Sequence, residues 1–91
     1  MAVRVLMPRL TDTMLQGMIC DWIKLEGDEV RAGEALYIVE TDKASVEVNS
    51  SATGVLLKIL VRQGEAMEVG GTVAIIGERG ENYSAMLGLA P

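Results

Sequence analysis

The sequence predicts an all-β fold: a flattened barrel or sandwich of two four-stranded antiparallel sheets with internal pseudo-two-fold symmetry. Three observations carry that expectation. Shifting the chain against itself by 37 residues lays Gly17 on Gly54, Gly27 on Gly64, Gly33 on Gly70 and Ile38 on Ile75 without a gap, and the classes between these anchors agree: Met18-Ile19-Cys20 faces Val55-Leu56-Leu57, and Val30 faces Met67. Gly27, Gly33, Gly64 and Gly70 break the apolar runs into pieces too short for helices, at turns that call for positive φ. Hydrophobic residues make up 49% of the chain but aromatics only 3%, with no Phe, so the core is aliphatic and its layers are thin. Two copies are too few for a solenoid, which makes them halves of one domain.

In chain order, residues 2–7 read as the first strand and residues 10–16 as the surface connection after it. A strand follows at 18–23, then a turn at Gly27-Asp28, a short strand or bend around Val30, a turn at Gly33, and a strand at 35–39. Residues 45–49 pair back, and 55–61, the Gly64-Glu65 turn, Met67, the Gly70 turn and a strand ending near Ile76 repeat the pattern. Segments 18–23 and 55–61 carry apolar residues in both phases, as a strand buried from two sides would. The folded domain is expected over residues 1–78. Residues 79–91 lack strand periodicity and read as the start of a linker or flexible tail, able to form a short helix on a partner.

The 91 residues make one domain, of a size that buries about 60% of its unfolded surface. A net charge of −5 with no Lys/Arg cluster argues against nucleic acid and against an anionic membrane surface. The longest apolar runs are too short to span a bilayer, and no signal-peptide core opens the chain. Cys20 is the only cysteine, so no internal disulfide forms and a reducing compartment is expected; its apolar neighbours predict a buried core filler. The absence of His removes Ser-His-Asp triads and His-containing metal sites. The carboxylates are dispersed over turns and strand edges with no nucleophile–base pair, so the domain alone is not expected to be an enzyme.

Thr41-Asp42-Lys43-Ala44 lies between two apolar-rich runs, which places Lys43 at the tip of a tight hairpin. A primary amine at an exposed tip, with a stiff sheet behind it, is the arrangement expected of an attachment point for a covalently bound carrier group. Lys and Asp are equally ordinary solvated turn residues. Under the 37-residue shift this turn falls on Glu78-Arg79-Gly80, where the second half stops pairing, so the lysine and the C-terminus are expected at opposite ends.

From Val3 to Ile76 the chain resembles the lipoyl domains of 2-oxo acid dehydrogenase complexes. The residues that carry the resemblance are Met7-Pro8, Thr13-Met14, Gly17, Trp22, Glu26-Gly27-Asp28-Glu29-Val30, Gly33-Glu34, Val39-Glu40-Thr41-Asp42-Lys43-Ala44, Glu47-Val48, Gly54, Gly64-Glu65 and Val69-Gly70. The family's usual Ala-Pro before the second-half glycine is replaced by Ser50-Ser51, which gives up the fixed φ of Pro at that turn.

The resemblance implies lipoic acid joined as an amide to Lys43. Asp42 and Ala44 then help to distinguish a lipoylated lysine from a biotinylated one, which characteristically has Met on each side. It further implies that the domain is a swinging-arm carrier within a dihydrolipoyl acyltransferase, pyruvate- or acetoin-like by its Thr-Asp-Thr-Met sequence. The partners would be a thiamine-diphosphate-dependent 2-oxo acid dehydrogenase, the acyltransferase catalytic domain, a flavin-containing dihydrolipoyl dehydrogenase and the lipoate-attaching enzyme. Thr11, Asp12, Thr13 and Met14 are candidates for dehydrogenase contact, the alternative being a structural loop whose Leu10 and Met14 cover the barrel. Glu40 and Glu47 are candidates for recognition by the modifying enzyme, or a solvated rim. The domain is expected to be monomeric, in the bacterial cytoplasm or the mitochondrial matrix. A biotin carrier domain and an unmodified β interaction module are the competing readings.

Overall fold

The structure, a computed structural model, describes residues 2–87. Its strands are β1 (Val3–Leu6), β2 (Gln16–Trp22), β3 (Glu29–Val30), β4 (Ala35–Glu40), β5 (Ser45–Asn49), β6 (Gly54–Ile59), β7 (Ala66–Glu68) and β8 (Thr72–Gly77), followed by a 3-10 turn at Ser84–Leu87. They form two four-stranded antiparallel sheets, ordered β1-β8-β6-β3 and β5-β4-β2-β7.

The two strand orders correspond: the 37-residue shift carries β2 onto β6, β3 onto β7 and β4 onto β8, and β1 takes in one sheet the edge place that β5 takes in the other. The hydrogen bonds repeat with the strands. Gly27 donates its amide to the Leu56 carbonyl at 2.8 Å, and Gly64 to that of Ile19 at 2.7 Å. Ile23 and Lys24 share the Leu36 carbonyl as Leu60 and Val61 share that of Val73. Each half thus satisfies backbone groups of the other, which ties them into one folding unit. The four turn glycines stand at φ between +87° and +94°, where a Cβ would be strained.

Between the sheets, Ile19, Leu36, Tyr37 and Val39 meet Leu56, Val73, Ala74 and Ile76, all without appreciable exposure. Trp22 is half-buried against this core, its ring centroid 4.8 Å from that of Tyr37, and its Nε1 donates to the Val61 carbonyl at 2.9 Å. The Tyr37 hydroxyl is buried with no hydrogen-bond partner among the described residues, and that burial pushes its pKa up to about 12.

Two expectations are corrected. β2 is not buried from both sides: Gly17 and Ile19 face inward, whereas Met18 is 37% exposed, and just past the strand Ile23 is 42% exposed. A two-layer sandwich has no third layer to cover that second apolar phase. Cys20 is half-buried rather than in the core, because strand alternation puts it on the outer face with Met18 while Gly17 and Ile19 face inward, and its thiol lies beside Glu40.

Beyond β8 the chain turns back on the domain. Glu81 donates its amide to the Glu78 carbonyl at 2.9 Å, and its carboxylate accepts from the amides of Glu78 and Ala2. Arg4 Nε donates to the Met86 carbonyl at 3.3 Å. Residues 88–91 of the expected tail lie outside the described residues.

Candidate functional site: the lysine hairpin

β4 and β5 pair up to Glu40 opposite Ser45, and the chain reverses in the four residues between. Thr41 sets the reversal. Its amide donates to the Ala44 carbonyl at 2.9 Å, and its hydroxyl accepts from the amides of Lys43 at 3.2 Å and Ala44 at 3.1 Å while lying 3.0 Å from the Ala44 carbonyl, to which it donates. A threonine that uses its side chain this way fixes a turn otherwise held by one backbone bond.

Thr41 is half-buried, whereas Asp42, Lys43 and Ala44 are exposed. Among the described residues nothing engages the Lys43 ammonium. The backbone on which Lys43 stands is therefore fixed, while its amine is open to a reagent approaching from outside.

The 10–16 connection reaches this hairpin at one point, where Thr13 Oγ1 donates to Asp42 Oδ2 at 3.4 Å. Arg9 braces the connection from within, donating to the carbonyls of Met14 at 2.9 Å and Asp12 at 3.4 Å. Met14 is in the core at 3% exposure, so it anchors the loop rather than offering a surface. Gly17 makes room for it: a Cβ there would come within 2.8 Å of Met14 Cε and 2.6 Å of Val39 Cγ2. Thr11 is half-buried, its hydroxyl without a hydrogen-bond partner among the described residues, Asp12 and Thr13 are exposed, and Leu15 is 78% exposed.

Glu40 and Glu47 are exposed on the outer face of the β5-β4-β2-β7 sheet, Glu47 directly opposite Ile38. Cys20 Sγ lies 3.5 Å from Glu40 Oε2. Partial desolvation, and then the Glu40 carboxylate, raise its pKa, which keeps the thiol protonated and a poor nucleophile. Sequence reasoning placed Asp42, Lys43 and Ala44 together at the hairpin tip. It missed the clamp by Thr41, for which a hydroxyl residue two positions before the tip was the available signal.

An exposed, unengaged amine on a rigid hairpin can be acylated and can carry what is attached to it. Against that geometry, a family model described as a biotin-requiring enzyme, Biotin_lipoyl, matches residues 3–76. The chain belongs to the biotin–lipoyl family. This biotin–lipoyl domain is 41% identical over 83 residues to the dihydrolipoyllysine-residue acetyltransferase component of the pyruvate dehydrogenase complex from Rickettsia prowazekii, an alignment covering 90% of this chain and 20% of that protein. It is 42% identical over 81 residues to the succinyltransferase component of the 2-oxoglutarate dehydrogenase complex from Staphylococcus saprophyticus, covering 89% of this chain and 19% of that one. The chain thus spans about a fifth of the length of the curated relatives it matches.

Among solved structures, the biotin–lipoyl domain superposes on the lipoyl domain of the 2-oxoglutarate dehydrogenase complex from Azotobacter vinelandii with a TM-score of 0.69 at 26% identity, covering 84% of this chain and 96% of that one. It superposes equally well on part of the urea carboxylase of Kluyveromyces lactis, with a TM-score of 0.70 at 27% identity, covering 85% of this chain and 6% of that one. Backbone shape alone therefore does not choose between attached groups.

Proposed function

We propose that the domain is a lipoyl carrier, with lipoate attached through an amide to Lys43, within a dihydrolipoyl acyltransferase subunit of a 2-oxo acid dehydrogenase complex. The observation that carries this reading is the clamped hairpin, which presents a single unengaged amine between Asp42 and Ala44. The site fits the group: nothing walls in the nitrogen, and neither neighbour is the Met that marks the biotinylated lysine.

Attached there, the group supplies a dithiolane able to take up an acyl unit and two electrons. The chain's own residues do the positioning. Thr41 holds the Lys43 and Ala44 amides, so the arm's root does not wander, and β4 and β5 stiffen the mount. Asp42, braced by Thr13, marks the approach for the attaching enzyme, while Thr11, Asp12 and Thr13 offer the loop edge to the thiamine-diphosphate dehydrogenase. Tethering within such a subunit makes each visit intramolecular, at an effective concentration on the order of millimolar. Acyltransferase and flavin dehydrogenase sites complete the cycle, in the bacterial cytoplasm or the mitochondrial matrix.

A pyruvate complex is the specific assignment, supported by the loop sequence and by acetyltransferase relatives; the 2-oxoglutarate relative is the competitor. Reductive acylation of the lipoylated chain tests it. Faster acylation with a pyruvate dehydrogenase than with an oxoglutarate dehydrogenase supports pyruvate, and the reverse preference removes it.

A further inference from the structure

Internal symmetry gives each outer sheet face a counterpart, and the two faces differ. On the β1-β8-β6-β3 sheet, Ile75 has no exposed surface although it lies outside the core cluster. Arg4 and Lys58 flank it across the strands, and the chain beyond Gly77 returns over this side, with the Glu81 carboxylate set against Gly77 and Arg4 bonded to Met86. On the β5-β4-β2-β7 sheet the symmetry mate of Ile75 is Ile38, flanked across the strands by Asp21 and Glu47. No described segment lies over it: Ile38 is half-buried, Met18 is 37% exposed, and Asp21, Glu40 and Glu47 are exposed. The charges invert with the symmetry, Asp21 standing where the mate face has Lys58 and Glu47 where it has Arg4.

We propose that this open face, with Met18 and Ile38 at its centre and Asp21, Glu40 and Glu47 around them, docks an extended basic segment of a partner protein. Such a segment presents Lys or Arg side chains with aliphatic residues between them. The aliphatic residues pack on Met18 and Ile38, whose apolar surface is otherwise left to water, and the cations meet the three carboxylates. A second copy of this face would bring the same negative charges, and an anionic surface is repelled for the same reason. Glu40 is the last paired residue before the lysine turn, so an occupant lies beside the root of the arm. The face's role in acyl transfer rests on the carrier reading, but its charge and shape do not.

The test is a nuclear magnetic resonance titration of the 15N-labelled, unlipoylated chain with the amidated peptide Leu-Lys-Val-Arg-Leu-Lys and with its acidic counterpart Leu-Glu-Val-Asp-Leu-Glu. Expected are amide shifts centred on Met18, Ile38 and Glu47 with the basic peptide only, weakened at about 0.5 M salt. In the double variant Asp21→Lys, Glu47→Arg, the basic peptide should bind about tenfold more weakly and the acidic one should take its place. Basic-peptide shifts spread over the other acidic edges, or an affinity indifferent to the double reversal, overturn the proposal. A sample that shows this binding yet never acquires a lipoyl group keeps the docking face and loses the carrier reading. A lipoylated sample without the binding does the opposite.

Discussion

The hydroxyl of Thr41 accepts the Lys43 amide at 3.2 Å, so the residue that presents the amine is fixed by a neighbour two positions earlier. Thr41→Val keeps the shape of the side chain and removes its three hydrogen bonds. Each such bond contributes about 0.5–1.5 kcal/mol when made, and at this exposed turn a net loss of about 1 kcal/mol is expected. The sharper effect is on modification: lipoate attachment to Lys43 should slow about tenfold, with Thr41→Ser restoring it. Initial rates by intact mass check this, and an unchanged rate would remove Thr41 from the site.

Lys43→Ala should leave thermal stability within about 0.5 kcal/mol, because the side chain is exposed and makes no ion pair among the described residues. Trp22→Ala should cost about 3 kcal/mol, since it empties a half-buried indole site, breaks the contact with Tyr37 and strips the Val61 carbonyl of its donor. Chemical denaturation of the two variants side by side separates mount from function. A large loss for the lysine change would show that its side chain is structurally engaged.

Gly54→Ala should destabilise by about 2–3 kcal/mol, because the new Cβ would lie 2.7 Å from the Gly77 carbonyl oxygen, which belongs to a paired strand and cannot step aside. Gly17→Ala meets only side-chain atoms, those of Val39, Met14 and Met7, and should cost less. Its visible effect should be on Thr13 and Asp42 resonances, as Met14 is pushed and the loop shifts. Equal losses for the two variants would contradict this account of the packing.

The carboxyls of Glu34 and Glu81 are both held below their ordinary value of 4.5, chiefly by backbone amides, that of Arg31 for Glu34 and that of Glu78 for Glu81. A carboxyl whose pKa is lower folded than unfolded stabilises the fold fully above the unfolded value, and the contribution fades as pH falls through the folded one. Stability should therefore decline below about pH 4.5, and Glu34→Gln should make that decline shallower. Tyr37 has the opposite sign: its raised pKa favours the fold below about pH 10, a contribution lost as pH rises from there towards about 12. Tm against pH for the wild type, Glu34→Gln and Tyr37→Phe reads both limbs.

The repeat was legible because Gly17, Gly27, Gly33 and their mates sit where backbone geometry or close packing admits little else, and such positions leave a fixed spacing in the chain. The Lys43 hairpin was legible for a related reason, since apolar runs on both sides force a reversal between them. The sidedness of β2 was not. Met18, Cys20 and Ile23 are as apolar as their buried neighbours, and the bulge that puts Asp21 on the same outer face as Cys20 arises from pairing with β4, on which residues 18–23 alone carry no information. Nor could the sequence show the chain after Gly77 folding back, because the contacts with Ala2 and Arg4 join opposite ends of the chain.

The most direct test is the intact mass, with peptide mapping, of the chain produced in cells supplied with lipoate. The account predicts one lipoyl increment, confined to the peptide containing Lys43 and absent from Lys43→Ala. A biotinyl increment, an increment on another residue, or an unmodified chain when the host's own lipoyl domains are fully modified would contradict it.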